Sequence, residues 1–287
     1  MFTAVEGIFL LLKTIFKWFG ANDDKMKWLA KAADELHAKG WAREKIIMDL
    51  DEMQNDRLEK QVRALMVEKK SQLEPMRLSA QSYEVPEIID VDVDMKTQGK
   101  YLTKSGNARG LVVHYTAGRM ENGDKDAINT VKSMAKRGLG CLVMSSTGKI
   151  FKSKDQGLNE VAWHAGKSSW KGKTGISRYC MGMEICCPGK LDENGKAWFG
   201  TVYNNSRDVK AEANRKAGKY AKFSPEQEKS LIDFCLWQLD VNPEFDIDWI
   251  CGHDEIAPAR KSDPGGSLNW AMPAFRWIIK DKFSKGI

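Results

Sequence analysis

The sequence predicts an α/β domain that follows an α-helical N-terminal region. Residues 1–80 contain long stretches with apolar side chains at helical spacing, and an acidic segment follows at residues 81–99. From residue 100 onward, short apolar runs typical of strands alternate with amphipathic helical segments. We therefore predict a helical region (1–80) for targeting, docking or membrane contact, an acidic linker (81–99) and one larger domain (100–287).

The N-terminal region shows three helical patterns. Residues 1–20 are strongly apolar but interrupted by charges, which favours an amphipathic helix over a bilayer span or a secretory signal. This helix packs on its neighbours, docks on a partner or lies on a membrane; a weakly hydrophobic signal-anchor is a further alternative. Two more helices are predicted, from residue 22 or 23 to about 39 and from about 42 to 73. Residues 1–80 contain no candidate for chemistry.

The remaining elements follow from periodicity and turn signals. Pro86 and the alternation over residues 89–94 predict an extended acidic strand or tether. The predicted strands of the larger domain are Arg109–His114, Tyr179–Cys187, Trp249–Cys251 and a hairpin of Cys141–Met144 with Lys149–Phe151. The predicted helices are Asp124–Lys136, Ser224–Leu239 with a capping signal, and Ala271–Lys282.

The charge distribution of the sequence indicates the kind of partner that the larger domain binds. The formal net charge is +6, and residues 100–287 carry 30 basic and 21 acidic side chains. A basic domain favours an anionic partner, although a merely soluble basic surface explains it as well. The long, basic and aromatic connection at residues 188–222 is expected to border a groove or touch an anionic envelope. No nucleic-acid motif accompanies it, so we predict no nucleic-acid partner.

The six cysteines, none in a CxxC pair, are expected to be buried free thiols.

The stretch Gly252–Gly266 has the greatest density of chemical groups. It places the imidazole of His253, the ammonium of Lys261 and the carboxylate of Asp263 within eleven consecutive residues, although a solvated turn has a similar composition. His114 stands where an apolar strand ends. Two imidazoles and one carboxylate form the protein ligand set of a catalytic zinc site, with a fourth position open for water.

Glu184 lies inside the apolar strand Cys180–Cys186. A carboxylate is costly to bury there unless it is paired. It is either a general base whose pKa is raised by burial, or a salt-bridged or edge-strand glutamate.

Four segments in this order carry a family resemblance, and together they cover about residues 105–280. They read LVVHYTA (111–117), AWHAG (162–166), MGMEI (181–185) and GHDEIAP with RKSDPG (252–265). The chain thereby resembles the zinc-dependent N-acetylmuramoyl-L-alanine amidases of type 2, whose fold is shared with phage lysozyme-type amidases and peptidoglycan recognition proteins.

The resemblance implies a mixed central β-sheet flanked by helices. It implies that His114, His253 and Asp263 bind Zn²⁺, that Glu184 is the acid/base carboxylate and that Lys261 stabilises the developing oxyanion. Some relatives place a catalytic tyrosine on the strand before the hairpin, where this chain has Gly140. The resemblance therefore favours a mechanism in which Glu184, and not a tyrosine, transfers the proton.

Substrate-binding residues are also expected near this site. His164 lies near the metal in relatives and is expected to bind substrate or support a ligand, because a fourth protein ligand would close the metal to water. Arg260 could pair with a stem-peptide carboxylate. We expect Trp163 in the core and Trp170 at the rim of the substrate groove.

The predicted function is peptidoglycan hydrolysis at the bond between N-acetylmuramic acid and L-alanine, as a phage lytic enzyme or virion-associated lysin. The alternatives are a cytoplasmic amidase that recycles soluble muropeptides and a non-catalytic peptidoglycan-binding module. The protein is expected to act on the cell wall in the periplasm after synthesis in the host cytoplasm. Contact with a membrane or a virion is expected only through residues 1–20.

Overall fold

The computed structural model describes residues 83–95, 108–213 and 215–285. The predicted N-terminal helices and the segment 1–20 lie outside these residues. Within the described part of the chain, no helix is both long and apolar enough to cross a membrane.

A six-stranded mixed sheet forms the centre of the domain. Its strands are β1 (Ile88–Val91), β2 (Gly110–Tyr115), β3 (Leu142–Met144), β4 (Ile150–Ser153), β7 (Cys180–Ile185) and β11 (Ile250–Gly252). Their spatial order is β1–β4–β3–β7–β2–β11. All neighbours are parallel except β3 and β4, which form the predicted antiparallel hairpin. The predicted fold class, a mixed sheet with flanking helices, is confirmed.

Helices cover the two faces of this sheet. They are α1 (Asp124–Lys136), α2 (Pro225–Val241), α3 (His253–Ile256) and α4 (Met272–Lys285). Side chains alternate along β3, so Leu142 and Met144 pack in the core with α2 and α4, whereas Val143 packs with α1. The sequence signal at the start of α2 is confirmed as a capping box between Ser224 and Gln227.

Residues 88–91 differ from the predicted linker. They form β1, an edge strand parallel to β4, so the sheet extends beyond the predicted domain boundary at residue 100. Asp90 of β1 forms an ion pair with Lys152 of β4, with 2.5 Å between oxygen and nitrogen. Directly after these strands, Asp92 pairs with Lys154 at 2.6 Å. The acidic alternation is therefore complementary to a basic strand edge, a cross-strand match that the segment alone does not reveal.

Two small sheets stand beside the central one. The connection at residues 188–222 contains an antiparallel sheet of β8 (Lys190–Leu191), β10 (Gly218–Ala221) and β9 (Ser206–Val209). The other sheet pairs β5 (Ser169–Trp170) with β6 (Lys173–Thr174). All six cysteines are free and buried, as predicted.

Candidate active site

The candidate site lies on one face of the central sheet, opposite the main core. On β7, Met181, Met183 and Ile185 belong to the main core, so the alternating Glu184 faces the other side. His114 on β2 is the register partner of Glu184, on the adjacent parallel strand. Because side chains alternate along the strand, Glu184 can belong to an apolar strand without entering the main core.

His114, His253 and Asp263 converge in a buried cluster. Oδ2 of Asp263 lies 2.9 Å from Nδ1 of His114 and 2.9 Å from Nδ1 of His253. Ligand atoms that share one tetrahedral zinc at ~2.0–2.1 Å lie roughly 3.3 Å apart, which is close to these separations. The donor set and its spacing therefore fit a zinc ion.

The charge states within the cluster also suit a cation. Burial lowers the pKa of His114 to about 4, against the opposing effect of its Asp263 contact. Burial alone would raise the pKa of Asp263, but its contacts with the two histidines lower that pKa well below the usual range. A carboxylate and a neutral imidazole near neutral pH are the forms that bind zinc.

The 188–222 connection supports the loop that carries Asp263. The Tyr220 ring is fully buried against Gly265 and Gly266, where an added Cβ would approach ring atoms to 2.7 and 2.6 Å. The hydroxyl groups of Tyr115 and Ser262 lie 2.8 Å apart and join the end of β2 to the same loop. The glycines after Asp263 are therefore required for close packing as well as for the turn.

Glu184 and Lys261 lie close enough to the cluster to affect its electrostatics. Glu184 is half-buried, and its Oε2 atom is buried with no hydrogen-bond partner among the described residues. Burial, then the charge of Asp263, raises the pKa of Glu184 to about 8, and the charge of Lys261 opposes that shift. The Lys261 amide donates to the carbonyl of Ala257, which sets the path of the loop leaving α3.

A model of the N-acetylmuramoyl-L-alanine amidase family, type 2, matches residues 104–266, more than half of the chain. The chain belongs to this amidase family. The match spans the strands that carry His114 and Glu184 and the loop that carries His253, Lys261 and Asp263.

Individual relatives match more narrowly. The chain is 32% identical over 122 residues to N-acetylmuramoyl-L-alanine amidase AmiD of Escherichia coli, which is 42% of this chain and 35% of that protein. Among solved structures, AmiD in complex with an anhydro-N-acetylmuramic acid peptide is 22% identical, with 61% of this chain and 60% of that chain covered and a TM-score of 0.42. The endolysin LysCS of Clostridium intestinale is 16% identical, with coverage of 71% and 99% and a TM-score of 0.40.

The predicted substrate-binding residues His164 and Arg260 contact other protein groups close to the candidate metal ligands. Nδ1 of His164 lies 3.0 Å from Nε2 of His114, and its Nε2 lies 3.0 Å from the carbonyl oxygen of Cys180. Both ring nitrogens of His164 are thus engaged, which favours the expected support of a ligand over substrate binding. Arg260 donates to the carbonyls of Ala165 and Lys167, so its role toward substrate stays a prediction.

One of the two tryptophans departs from its expected environment. Trp163, expected in the core, is 39% exposed, whereas the flanking Ala162 and Ala165 are buried. Trp170, expected at the rim, is half-buried and its indole N–H donates to the carbonyl of Asp248. The prediction that Trp163 lies in the core was therefore wrong. A substrate role for Trp170 stays a prediction.

A buried ion pair that sequence reasoning missed holds α3 in place. Both guanidinium amines of Arg276 contact the Glu255 carboxylate, at 2.7 and 2.9 Å, and Glu255 also accepts from the amide of Gly252. The Glu255 side chain is only 3% exposed. No local pattern marks this pair, because its partners come from different helices.

We expect Arg276→Met to lower the free energy of unfolding by about 3–5 kcal/mol, because it leaves the Glu255 charge buried without its partner. The matched control is Lys171→Met, which removes an exposed pair with Asp248 and should cost about 0–1 kcal/mol. Urea denaturation of both variants, at the same zinc concentration, measures the difference. Equal losses of unfolding free energy in the two variants would show that the buried Arg276–Glu255 pair stabilises the fold no more than the exposed pair does.

Proposed function

We propose that this chain is a zinc-dependent peptidoglycan amidase that hydrolyses the bond between N-acetylmuramic acid and L-alanine. The observation that carries this proposal is the convergence of two histidine nitrogens and one carboxylate oxygen in a buried cluster. It is supported by a buried carboxylate oxygen of Glu184 on the neighbouring strand, which has no hydrogen-bond partner in the described part of the chain. A non-catalytic binding module needs neither feature.

His114, His253 and Asp263 would hold the zinc. Zinc, when bound, supplies Lewis acidity that activates water and polarises the amide carbonyl. Three protein ligands leave one position of the tetrahedron for substrate or water. Family membership adds the expectation that the metal is zinc.

Glu184 and Lys261 would carry out the proton transfer and the charge stabilisation. Glu184 takes a proton from the attacking water through its carboxylate and returns it to the amine of the leaving L-alanine. The ammonium of Lys261 lies beside the carbonyl oxygen as negative charge develops there. The backbone of Glu184 belongs to β7, and the Lys261 amide bonds to Ala257, so each side chain starts from an ordered part of the fold.

We also propose that the substrate is the intact cell wall, as for a phage lytic enzyme or virion-associated lysin acting in the periplasm. The basic excess of residues 100–287 supports this proposal, because wall and envelope polymers are anionic. Recycling of soluble muropeptides is the alternative, and the similarity to AmiD does not separate the two. The membrane or virion contact of residues 1–20 stays a prediction.

Mass spectrometry of digested material tests both the bond and the substrate. We expect purified sacculi to yield new L-alanine N-termini, and a zinc chelator to abolish their release until zinc is restored. Cleavage of a different bond would contradict the amidase proposal. Cleavage of soluble anhydro-muropeptides without cleavage of sacculi would instead favour the recycling role.

A further inference from the structure

We infer that His164 is a positioning residue that fixes the tautomer of His114, so that His114 presents an unprotonated Nδ1 to the metal. This inference rests on the proposed zinc site. It assigns to the AWHAG histidine a role toward a ligand in place of one toward substrate.

A chain of hydrogen bonds carries the inference. The carbonyl oxygen of Cys180 can only accept, so the Nε2 of His164, 3.0 Å away, must carry the proton. In an imidazole that carries its single proton on Nε2, Nδ1 is an acceptor. It lies 3.0 Å from Nε2 of His114, which must therefore be the donor. A neutral His114 with its proton on Nε2 has its lone pair on Nδ1, the atom that faces Asp263.

The resulting cluster needs a cation. With this tautomer, the Nδ1 lone pair of His114 lies 2.9 Å from the carboxylate oxygen of Asp263, with no proton between them. Two acceptors at that distance repel each other unless a proton or a metal cation lies between them, and bound zinc takes the place of the proton. The His114–His164 contact thus prepares the site for metal, as hydrogen bonds to the non-ligating nitrogen do in zinc proteins generally.

The fold reserves the space for His164. Gly182 lies on the same face of β7 as Glu184, and a Cβ built there would come within 2.8 Å of the His164 ring and 2.5 Å of Cys141 Sγ. The hydroxyl oxygen of Ser177 accepts from the amides of His164 and Ala165. These contacts fix the backbone at His164.

The same segment also reaches the second histidine ligand. The Ala165 carbonyl lies 3.2 Å from Nε2 of His253, whose other nitrogen faces Asp263. Nη2 of Arg260 lies 3.3 Å from the same Nε2 atom and can only donate, so the tautomer inference is confined to His114. Residues 164 and 165 therefore contact the outer nitrogens of both ligands, one through a side chain and the other through the backbone.

An alternative metal position has to be separated from this arrangement. His114, His164 and Cys141 also lie within ligand distance of one another. Binding there would use the opposite nitrogen of His114 and would exclude the tautomer that we infer. A loss of zinc affinity on replacing Cys141 would indicate this second position.

Zinc affinity of three His164 variants tests the inference. Asparagine keeps an acceptor at the position of Nδ1, glutamine places its amide at the Nε2 end near Cys180, and leucine keeps neither. We expect His164→Leu and His164→Gln to bind zinc ~10–100-fold more weakly in a chelator competition. His164→Asn and Cys141→Ala should stay near the wild-type affinity. Wild-type affinity in His164→Leu, or a large loss in Cys141→Ala, would overturn the inference.

Long-range ¹H–¹⁵N spectra of the zinc-loaded wild-type chain give an independent answer, even if a variant fails to fold. We expect the protons of His114 and His164 on Nε2. A proton on Nδ1 of His114 would overturn the inference. A wild-type chain that binds no zinc would contradict the proposed function itself, whereas zinc binding that is insensitive to residue 164 would contradict only the role of His164.

Discussion

Replacing Glu184 with glutamine is expected to lower kcat on sacculi by about 10²–10⁴-fold, the usual contribution of a positioned general acid–base. Glutamine keeps the size of the side chain and its place on β7 beside His114, but it cannot take up a proton. Zinc affinity should change little, because Glu184 is not among the three converging ligands. The measurements are kcat on sacculi and the zinc content of the purified variant.

A matched control separates this loss from a general effect of removing a carboxylate. Glu226 lies exposed in the first turn of α2, and Glu226→Gln should digest sacculi at the wild-type rate. If Glu184→Gln also retains wild-type activity, Glu184 is not the base. Loss of zinc together with activity would instead show that Glu184 holds the metal site together.

Replacing Lys261 with methionine is expected to lower kcat by about 10²–10³-fold, or ~3–4 kcal/mol in the barrier, as for loss of one oxyanion partner. Methionine keeps much of the apolar stem and removes only the charge. Lys261 influences the pKa values of both Glu184 and His114, so its ammonium lies within electrostatic reach of both sides of the site. Steady-state kinetics on a soluble muropeptide would measure the effect.

The division between kcat and KM identifies what Lys261 does. A group that acts only on developing charge lowers kcat and kcat/KM equally, whereas a group that binds the substrate throughout the reaction mainly raises KM. Lys167→Met is the control, because Lys167 is exposed on the neighbouring segment. A change confined to KM in Lys261→Met would assign that lysine to substrate binding.

Several features could be predicted from the sequence because they depend only on residues that are close together along the chain, within one turn or one strand. The Ser224 cap, the β3–β4 hairpin and the apolar runs of β2 and β7 follow from local periodicity and turn chemistry, and the structure confirms each. The candidate ligands were also identifiable, because their residue types and motif spacing resemble a known family. The order of elements and the candidate site residues were therefore predictable from the sequence itself.

The tertiary structure decided which atoms meet. His114 and Asp263 are 149 residues apart, and His114 and His164 are 50 residues apart, so no local pattern specifies which nitrogen faces which partner. The same holds for β1, whose Asp90 pairs with Lys152 of the adjacent strand. It also holds for Trp163, which is exposed although Ala162 and Ala165 are buried. Periodicity assigns a side chain to a face, but its hydrogen bonds and ion pairs depend on distances that exist only after the sheet has assembled.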